Sequence, residues 1–296
     1  MSDGVLVIGE SILDVIHDGR DVREHAGGSP LNVACGLSRL GHNVRFLSSV
    51  GRDRGGRVIQ AHLAESGVRL VEESIGAGET STAVATIEPD GSATYKFDIA
   101  WSMPAAKSLG PTDWVHTGSL ATFLKPGADS VEQFLRSLST RSVISYDPNI
   151  RPQLLLNHTA AVSQFERFVA LADVVKLSDE DALWLYPDLD ETAVLARILE
   201  LGASVAAFTR GAQGARIVTA HYSVEAPILQ VDVVDTIGAG DTFMAALISD
   251  LHGRELPPAQ EALHTAAIRA ATAAALTCAR AGAVSPTLRE LKDAVL

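Results

Sequence analysis

Apolar and polar positions alternate along the chain in two different periods. The run VLVIGE (5–10) is continuous and apolar, as expected of a strand buried on both faces. GGSPLNVACGLSRLG then predicts a helix, with Ser29 as N-cap, Pro30 as first helical residue and Gly41 as stop. Leu31, Ala34, Cys35, Leu37 and Leu40 give that helix one apolar face. VRFLSSVG reads as the next strand, and Asp53 as the cap of a helix over about 57–66 that stops at Gly67. In TSTAVATIEPDGSATYKFDIA the period becomes two, with Pro-Asp-Gly as its turn, so a half-exposed hairpin is expected. From Asp113 onward DWVHTG, SVISYD, DVVKLS and SVAAFTRG read as strands separated by helical patterns. GARIVTA and YSVEAP read as a second hairpin, and two helices, about 241–251 and 258–281, are expected to close the chain. Strands alternating with helices imply a parallel sheet covered on both faces. The early hairpin does not belong to that layer and reads as a flap over one edge. With no repeat or linker in view, the expected organisation is one domain, 1–296.

Composition narrows the class. At 296 residues with 47% hydrophobic and 20% charged, the chain has an ordinary globular balance and needs no disulfide or structural metal. Cys35 and Cys278 both lie in apolar helical patterns and read as buried thiols of a reducing cytoplasm. A net charge of −12 argues against a nucleic-acid partner. The first apolar run has no basic segment before it and reads as a strand, not a signal peptide. The alanine-rich stretch near 266–279 is interrupted by Arg269 and by hydroxyl and thiol side chains, which excludes a membrane span. A cytoplasmic protein is the expectation.

In a parallel sheet, ligands sit beyond the carboxyl ends of the strands. Five of the expected strand ends or following turns carry polar groups: Asp14; Asp147, Asn149 and Arg151; Lys176, Ser178 and Asp181; Thr209, Gly211 and Gly214; Asp235 and Asp241. Each alone is ordinary turn or cap chemistry; together on one edge they describe a site. The stretch VDTIGAGDTFMAAL is the most informative. Gly238 and Gly240 let successive amides, with that of Ala239 between them, point into one concavity at a helix N-terminus, which binds anions and most often phosphate. Asp241 beside it either caps its own helix or takes a proton from a hydroxyl that attacks the bound phosphate. There is no P-loop sequence, no G-x-G-x-x-G after the first strand, and no H-E-x-x-H or C-x-x-C. A dinucleotide oxidoreductase and a zinc enzyme therefore lose their support.

AGGSPLNVACGLSRLG with VGRDRGG, and DTIGAGDTF some 200 residues later, resemble the two signature regions of the PfkB-type (ribokinase-like) sugar kinases. The likeness runs from Val5 to about Pro286. It implies an α/β fold: a three-layer α/β/α Rossmann-like core with a mostly parallel sheet and a small β-sheet lid, here about 11–26 and 75–104. It also implies transfer of the γ-phosphoryl of ATP to a sugar hydroxyl, usually a primary one. By motif, Asp241 resembles the catalytic base and Gly238, Ala239 and Gly240 the anion hole. Asp14, Gly28 and Asn32 resemble sugar ligands, and the lid would bring Tyr95, Lys96 and Phe97 over the sugar. Lys176, Ser178, Thr209, Gly211, Gly214 and Gly240 fall to the nucleotide. Asp235 and Ile237, with the loop at Thr277, Arg280, Gly282 and Ser285, resemble a monovalent cation site, typically for potassium. The alternating apolar side chains of the exposed hairpin need cover, on substrate or on a partner lid, so a homodimer through the lid is expected.

The chain departs from many ribokinase-like members where they carry N-x-x-E to organise water around Mg2+. Here the run is SDED, and Asp181 shortens the reach by one methylene. GGSPLN, DPNIRP and KLSDEDA lean to the fructokinase branch, in which Arg151 would lie near substrate and phosphates. Fructose to fructose 6-phosphate is the expected reaction. Alternatives are a 2-keto-3-deoxygluconate kinase, which needs cations such as Lys96 or Arg151 for an acid substrate, another sugar or nucleoside kinase, and a catalytically silent sugar or nucleotide sensor.

Overall fold

A computed structural model of the chain describes residues 4–19, 21–87, 93–106, 109–138, 142–227 and 229–295; the side chains of Ala93, Tyr95 and Val295 are outside that description. The strand Val5–Ile8 is buried along its whole length, as its unbroken apolar run requires. Its side chains alternate between two cores. Val5 and Val7 enter one with the helices Ser29–Arg39, Ala239–Leu251 and Gln260–Cys278. Leu6 and Ile8 enter the other with Gly127–Ser137, His158–Val169 and Glu191–Glu200. The period of two in each strand thus separates the two helical layers.

The main sheet has nine strands. From one edge to the other they run Ser223–Ala226, Ala215–Val218, Val205–Thr209, Val174–Ser178, Val143–Asp147, Trp114–Gly118, Val5–Ile8, Val44–Leu47 and Arg69–Leu70. The first two and their junction with Val205–Thr209 are antiparallel; all other pairs are parallel. Val5–Ile8 pairs with Val44–Leu47 on one side and Trp114–Gly118 on the other. The chain order reverses there, which opens a crevice at the carboxyl edge. A second sheet of four strands orders as Asp21–Gly27, Ile12–Asp18, Thr82–Ile87 and Ala93–Asp98. The hairpin at 82–98 is part of it; its Pro-Asp-Gly turn lies outside the described residues.

Three local expectations are corrected. Gly28, at φ 109°, precedes the helix as its N-cap, and Ser29 is already helical with its side chain turned elsewhere. The helix after Asp53 starts at Arg54, because Asp53 accepts from the amide of Gly56 at 2.7 Å. A third helix, Leu288–Val295, closes the chain. Its signal is the T-x-x-E of a capping box: Thr287 Oγ1 accepts from the Glu290 amide at 3.3 Å, and Glu290 accepts from the Thr287 amide at 2.7 Å. Among the described residues no helix is long and apolar enough to cross a membrane.

Candidate active site

The helix Ala239–Leu251 begins where Gly238 turns left-handed at φ 75°. A Cβ there would lie 2.5 Å from that of Ala283, so both the backbone and the packing require glycine. The first amide to find an acceptor inside the helix is that of Thr242, which reaches Gly238 O at 2.8 Å. Those of Gly240 and Asp241 precede it and have no intrahelical carbonyl.

Asp241 is the third residue of this helix and is buried. Its carboxylate does not fold back as a cap. Oδ1 accepts from Ser29 Oγ at 2.6 Å and from Asn149 Nδ2 at 3.4 Å, and Oδ2 accepts from Asn32 Nδ2 at 2.8 Å. Ser29 and Asn32 belong to the helix Ser29–Arg39, which packs closely on Asp241's own. Gly36 allows that approach: a Cβ on it would lie 2.8 Å from Ala245 Cβ. Asn32, expected at the sugar, is therefore also a holder of the carboxylate.

Lys176 Nζ lies 3.0 Å from Asp147 Oδ2, with both side chains buried. Burial opposes the ammonium, but Asp147, Asp181 and Asp241 outweigh it and raise its pKa. A Cβ on Gly240 would lie 3.1 Å from Nζ, so the charge sits directly under the glycine-rich helix start. Helix dipole and lysine add there to attract an anion.

Ser178 and Asp181 form a reciprocal capping box, and Asp181 Oδ1 also accepts from the Ile150 amide at 2.7 Å. Both are thus engaged with backbone, and Asp181 clasps the DPNIR loop. Arg151 turns back on that same loop, donating to Asn149 Oδ1 at 2.5 Å. The turn Gly211–Gln213 follows Thr209, with Gly211 at φ 52° and Gly214 at φ 84°. The guanidinium of Arg210 between them pairs with Glu191 and Glu225.

Asp14 lies in the second sheet, and Gly27 makes room for it: a Cβ there would be 2.1 Å from its Oδ2. Burial raises Asp14 to about 6, against the opposing pull of His25 and Arg151. Strand pairing puts Asp14, His25, Ala83 and Phe97 in one cross-strand row. Lys96 falls in the next row, with Val15 and Val84, so it faces the opposite side of the sheet from Phe97. Phe97 is exposed; the side chain of Tyr95 lies outside the described ones. Glu10 was not foreseen. It is buried at the end of Val5–Ile8, accepts from the Ala121 amide at 2.8 Å, and is pushed by burial to about 7. Its only sequence signal is a carboxylate closing an apolar strand.

Asp235 accepts from the Ile237 amide at 3.0 Å and the Gly282 amide at 2.9 Å, which bring it and both loops together. These two bonds hold it below the usual carboxylate range. The Thr277 and Ser285 hydroxyls meet at Thr242 (3.0 and 2.7 Å), and Arg280 pairs with Glu290 at 2.6 Å. Among the described residues no cluster of three or more His, Cys, Asp or Glu could hold a metal ion.

Fold and edge together define an α/β protein with open backbone amides at a helix start beside a buried carboxylate. The chain belongs to the pfkB family of carbohydrate kinases, whose pattern it matches over residues 3–290. It is accordingly a phosphotransferase with an alcohol acceptor. It is 30% identical over 297 residues to the fructokinase of Klebsiella pneumoniae, covering 96% of each chain. The fructokinase of Xylella fastidiosa with bound ATP superposes with a TM-score of 0.84 at 25% identity, covering 100% of this chain and 98% of that one. A double mutant of the Vibrio cholerae fructokinase, with fructose, ADP and potassium bound, gives a TM-score of 0.83 at 26% identity, covering 99% and 98%.

Proposed function

We propose that this protein is an ATP-dependent fructokinase, making fructose 6-phosphate. The observation that carries the reading is Asp241, held by three side-chain donors beside the open amides of Gly240 and Asp241, with Lys176 beneath. In this reading the terminal hydroxyl of the sugar gives its proton to Asp241 while its oxygen bonds to the γ-phosphorus. The β–γ bridge breaks and ADP leaves. The amides of Gly240 and Asp241, with Lys176, stabilise charge on the transferring group; the Ala239 amide, expected among them, donates instead to Thr236 O at 3.3 Å. Thr209, Gly211 and Gly214 form the nucleotide turn, and Asp14 and Asn32 meet sugar hydroxyls.

The residues fit a monovalent cation at Asp235, a half-buried carboxylate kept ionised by two loop amides. Asp235 with the carbonyl of Ile237 and the 277–285 loop would hold potassium, which would order the anion-hole loop. The fit to Mg2+ is different: Asp181 is buried, unlike Asp235, and its oxygens clasp the 150 loop and its own helix start, so Mg2+ would enter with the phosphates of ATP, whose charge it would neutralise. The second sheet serves as a lid, and its apolar strands as the contact of a homodimer.

Fructose is favoured over 2-keto-3-deoxygluconate because an acid substrate needs a free cation. Lys96 faces away from the row of Asp14, and Nη1 of Arg151 is bonded to its own loop, although the Arg151 charge reaches Asp14, so the preference rests on Lys96. The test is kcat/KM for fructose, ribose, 2-keto-3-deoxygluconate and adenosine with ATP under one condition. Fructose should lead; a clear preference for another acceptor sinks the substrate assignment alone, and no transfer to any of them sinks the kinase reading.

A further inference from the structure

His116 has no part in the chemistry above, yet it is fully buried inside the main sheet. Its strand alternates between the two cores. Trp114 enters the one that holds the helix Ala239–Leu251 and Val115 the other, so His116 falls on the side of that helix. Strand pairing sets His116 opposite Ser145 and Gly118 opposite Asp147. His116 and Asp147 therefore share a face, one step apart on neighbouring strands. Both are sealed from solvent, and each keeps one atom with no hydrogen-bond partner: Nε2 of His116 and Oδ1 of Asp147. Buried polar atoms rarely stay unpaired, and a bridging water is a usual way of pairing them.

The other contacts of the ring decide which atom gives the hydrogen. Trp114 Nε1, which can only donate, gives its own to Ser145 Oγ at 2.8 Å. The Ser145 hydrogen then goes to the nearer of two acceptors, His116 Nδ1 at 3.0 Å rather than the Val115 carbonyl at 3.5 Å. Burial and the Lys176 charge keep the ring neutral, with its pKa down to about 3. A neutral imidazole that accepts on Nδ1 carries its hydrogen on Nε2. The two unpaired atoms are thus a donor and a carboxylate oxygen. We propose that one buried water lies between them, accepting from His116 Nε2 and donating to Asp147 Oδ1, and that through it His116 is a positioning residue for Lys176. Asp147 Oδ2 holds Lys176 Nζ at 3.0 Å, under the glycine-rich helix start at Gly240. With both oxygens engaged, the carboxylate cannot swing, and the ammonium stays where a transferring phosphoryl group needs it. The role given to Lys176 rests on the kinase reading; the water and the tautomer do not.

Crystallography, spectroscopy and kinetics on the full chain each test it. A crystal structure fine enough to show waters should hold one within about 3.2 Å of both atoms; no water there, or Nε2 turned to another partner, overturns the site. Nitrogen NMR of isotope-labelled histidine, with the His116 signal among the nine identified by its loss in His116→Gln, should find the hydrogen on Nε2. A hydrogen on Nδ1 overturns the relay. Kinetics use ATP and fructose, or whichever sugar the wild type prefers. His116→Asn keeps a partner for Ser145 but is too short to reach toward Asp147, whereas His116→Gln carries its amide about as far as Nε2. Loss of an oxyanion donor costs about 10²- to 10³-fold and displacement of one costs less. His116→Asn should therefore lower kcat about tenfold with both KM values within about twofold, and His116→Gln should keep most of the rate. A merely structural histidine would not separate the two: equal kcat in both variants, or a loss confined to KM, overturns the positioning role. Thermal melts separate loss of fold from loss of kcat. Ser145→Ala, a smaller change that frees Nδ1, keeps the role testable if the His116 variants do not fold; it should lower kcat about threefold, and an unchanged kcat overturns the role. A wild type that phosphorylates nothing overturns the underlying function instead, and leaves the water and the tautomer to be read as before.

Discussion

Adding one methyl group at Gly36, far from any ligand, should disable the site while leaving the fold intact. The helices Ser29–Arg39 and Ala239–Leu251 cross at Gly36, where a new Cβ would lie 2.8 Å from Ala245 Cβ and 3.0 Å from Ser285 Oγ. Two carbons need about 3.5–4.0 Å, so in Gly36→Ala the helices must part by roughly 0.7–1.2 Å. Overpacking of this kind costs about 1–3 kcal/mol, but alanine regains about 1 kcal/mol of helix propensity. The net loss of stability is then about 0–2 kcal/mol, and the protein stays folded. The 2.6 Å and 2.8 Å bonds from Ser29 and Asn32 to Asp241 cross the same interface and cannot survive a separation of that size. A misplacement of about 1 Å can cost a hundredfold in rate. We expect kcat to fall about 30- to 100-fold with a small drop in melting temperature. Ala245→Gly on the same background removes the opposing methyl and should return most of the rate. Wild-type kcat in Gly36→Ala, or no recovery in the pair, would refute the idea that helix spacing sets the position of the carboxylate.

Asp241→Asn should lower kcat by a factor of about 10² to 10⁴ while ATP and sugar still bind by calorimetry, since amides and hydroxyl partners remain; near-normal turnover would reduce Asp241 to a structural role. Burial raises Glu10 to about 7, so between the unfolded value of about 4.5 and 7 the folded state holds a proton that the unfolded state has released. Stability from this group is therefore full below about pH 4.5 and is lost as pH rises through 7, by about 3 kcal/mol in all. Glu10→Gln should melt higher than wild type above pH 7 and show a flatter profile from pH 4.5 to 7; parallel profiles would remove the claim. Turnover should rise with potassium and fall in sodium or lithium alone, and equal rates in all three chlorides would dismiss the site at Asp235.

Much of this edge is legible in the chain because its parts are local. Gly238 and Asp53 announce their conformations within three or four residues, and the amide nest and the helix start need no distant partner. The first helix misleads for the opposite reason. Ser29 looks like a cap because serine before proline usually is one, but its acceptor is Asp241, 212 residues on. Nothing in local pattern reports such a pair. Lys96 and Phe97 looked jointly available to a sugar until strand pairing placed them on opposite faces. Asn149 and Arg151 could be picked out as polar residues after a strand, yet which of them reaches inward depends on a loop that Asp181 fixes from the next helix.

The carboxylate of Asp241 is also a seam. Ser29 and Asn32 come to it from a helix whose apolar face belongs to one core, and Asn149 comes from a loop tied through Asp181 to the helix Asp179–Leu185, whose Ala182 and Leu185 belong to the other. Neither core can loosen without slackening at least one tether. Heat or denaturant would then silence the enzyme while most of its secondary structure persists, so turnover is an earlier witness of damage than any spectroscopic measure of the fold. A stabilising substitution on one face alone raises the melting point without extending the working range, which is bounded by the weaker of the two layers.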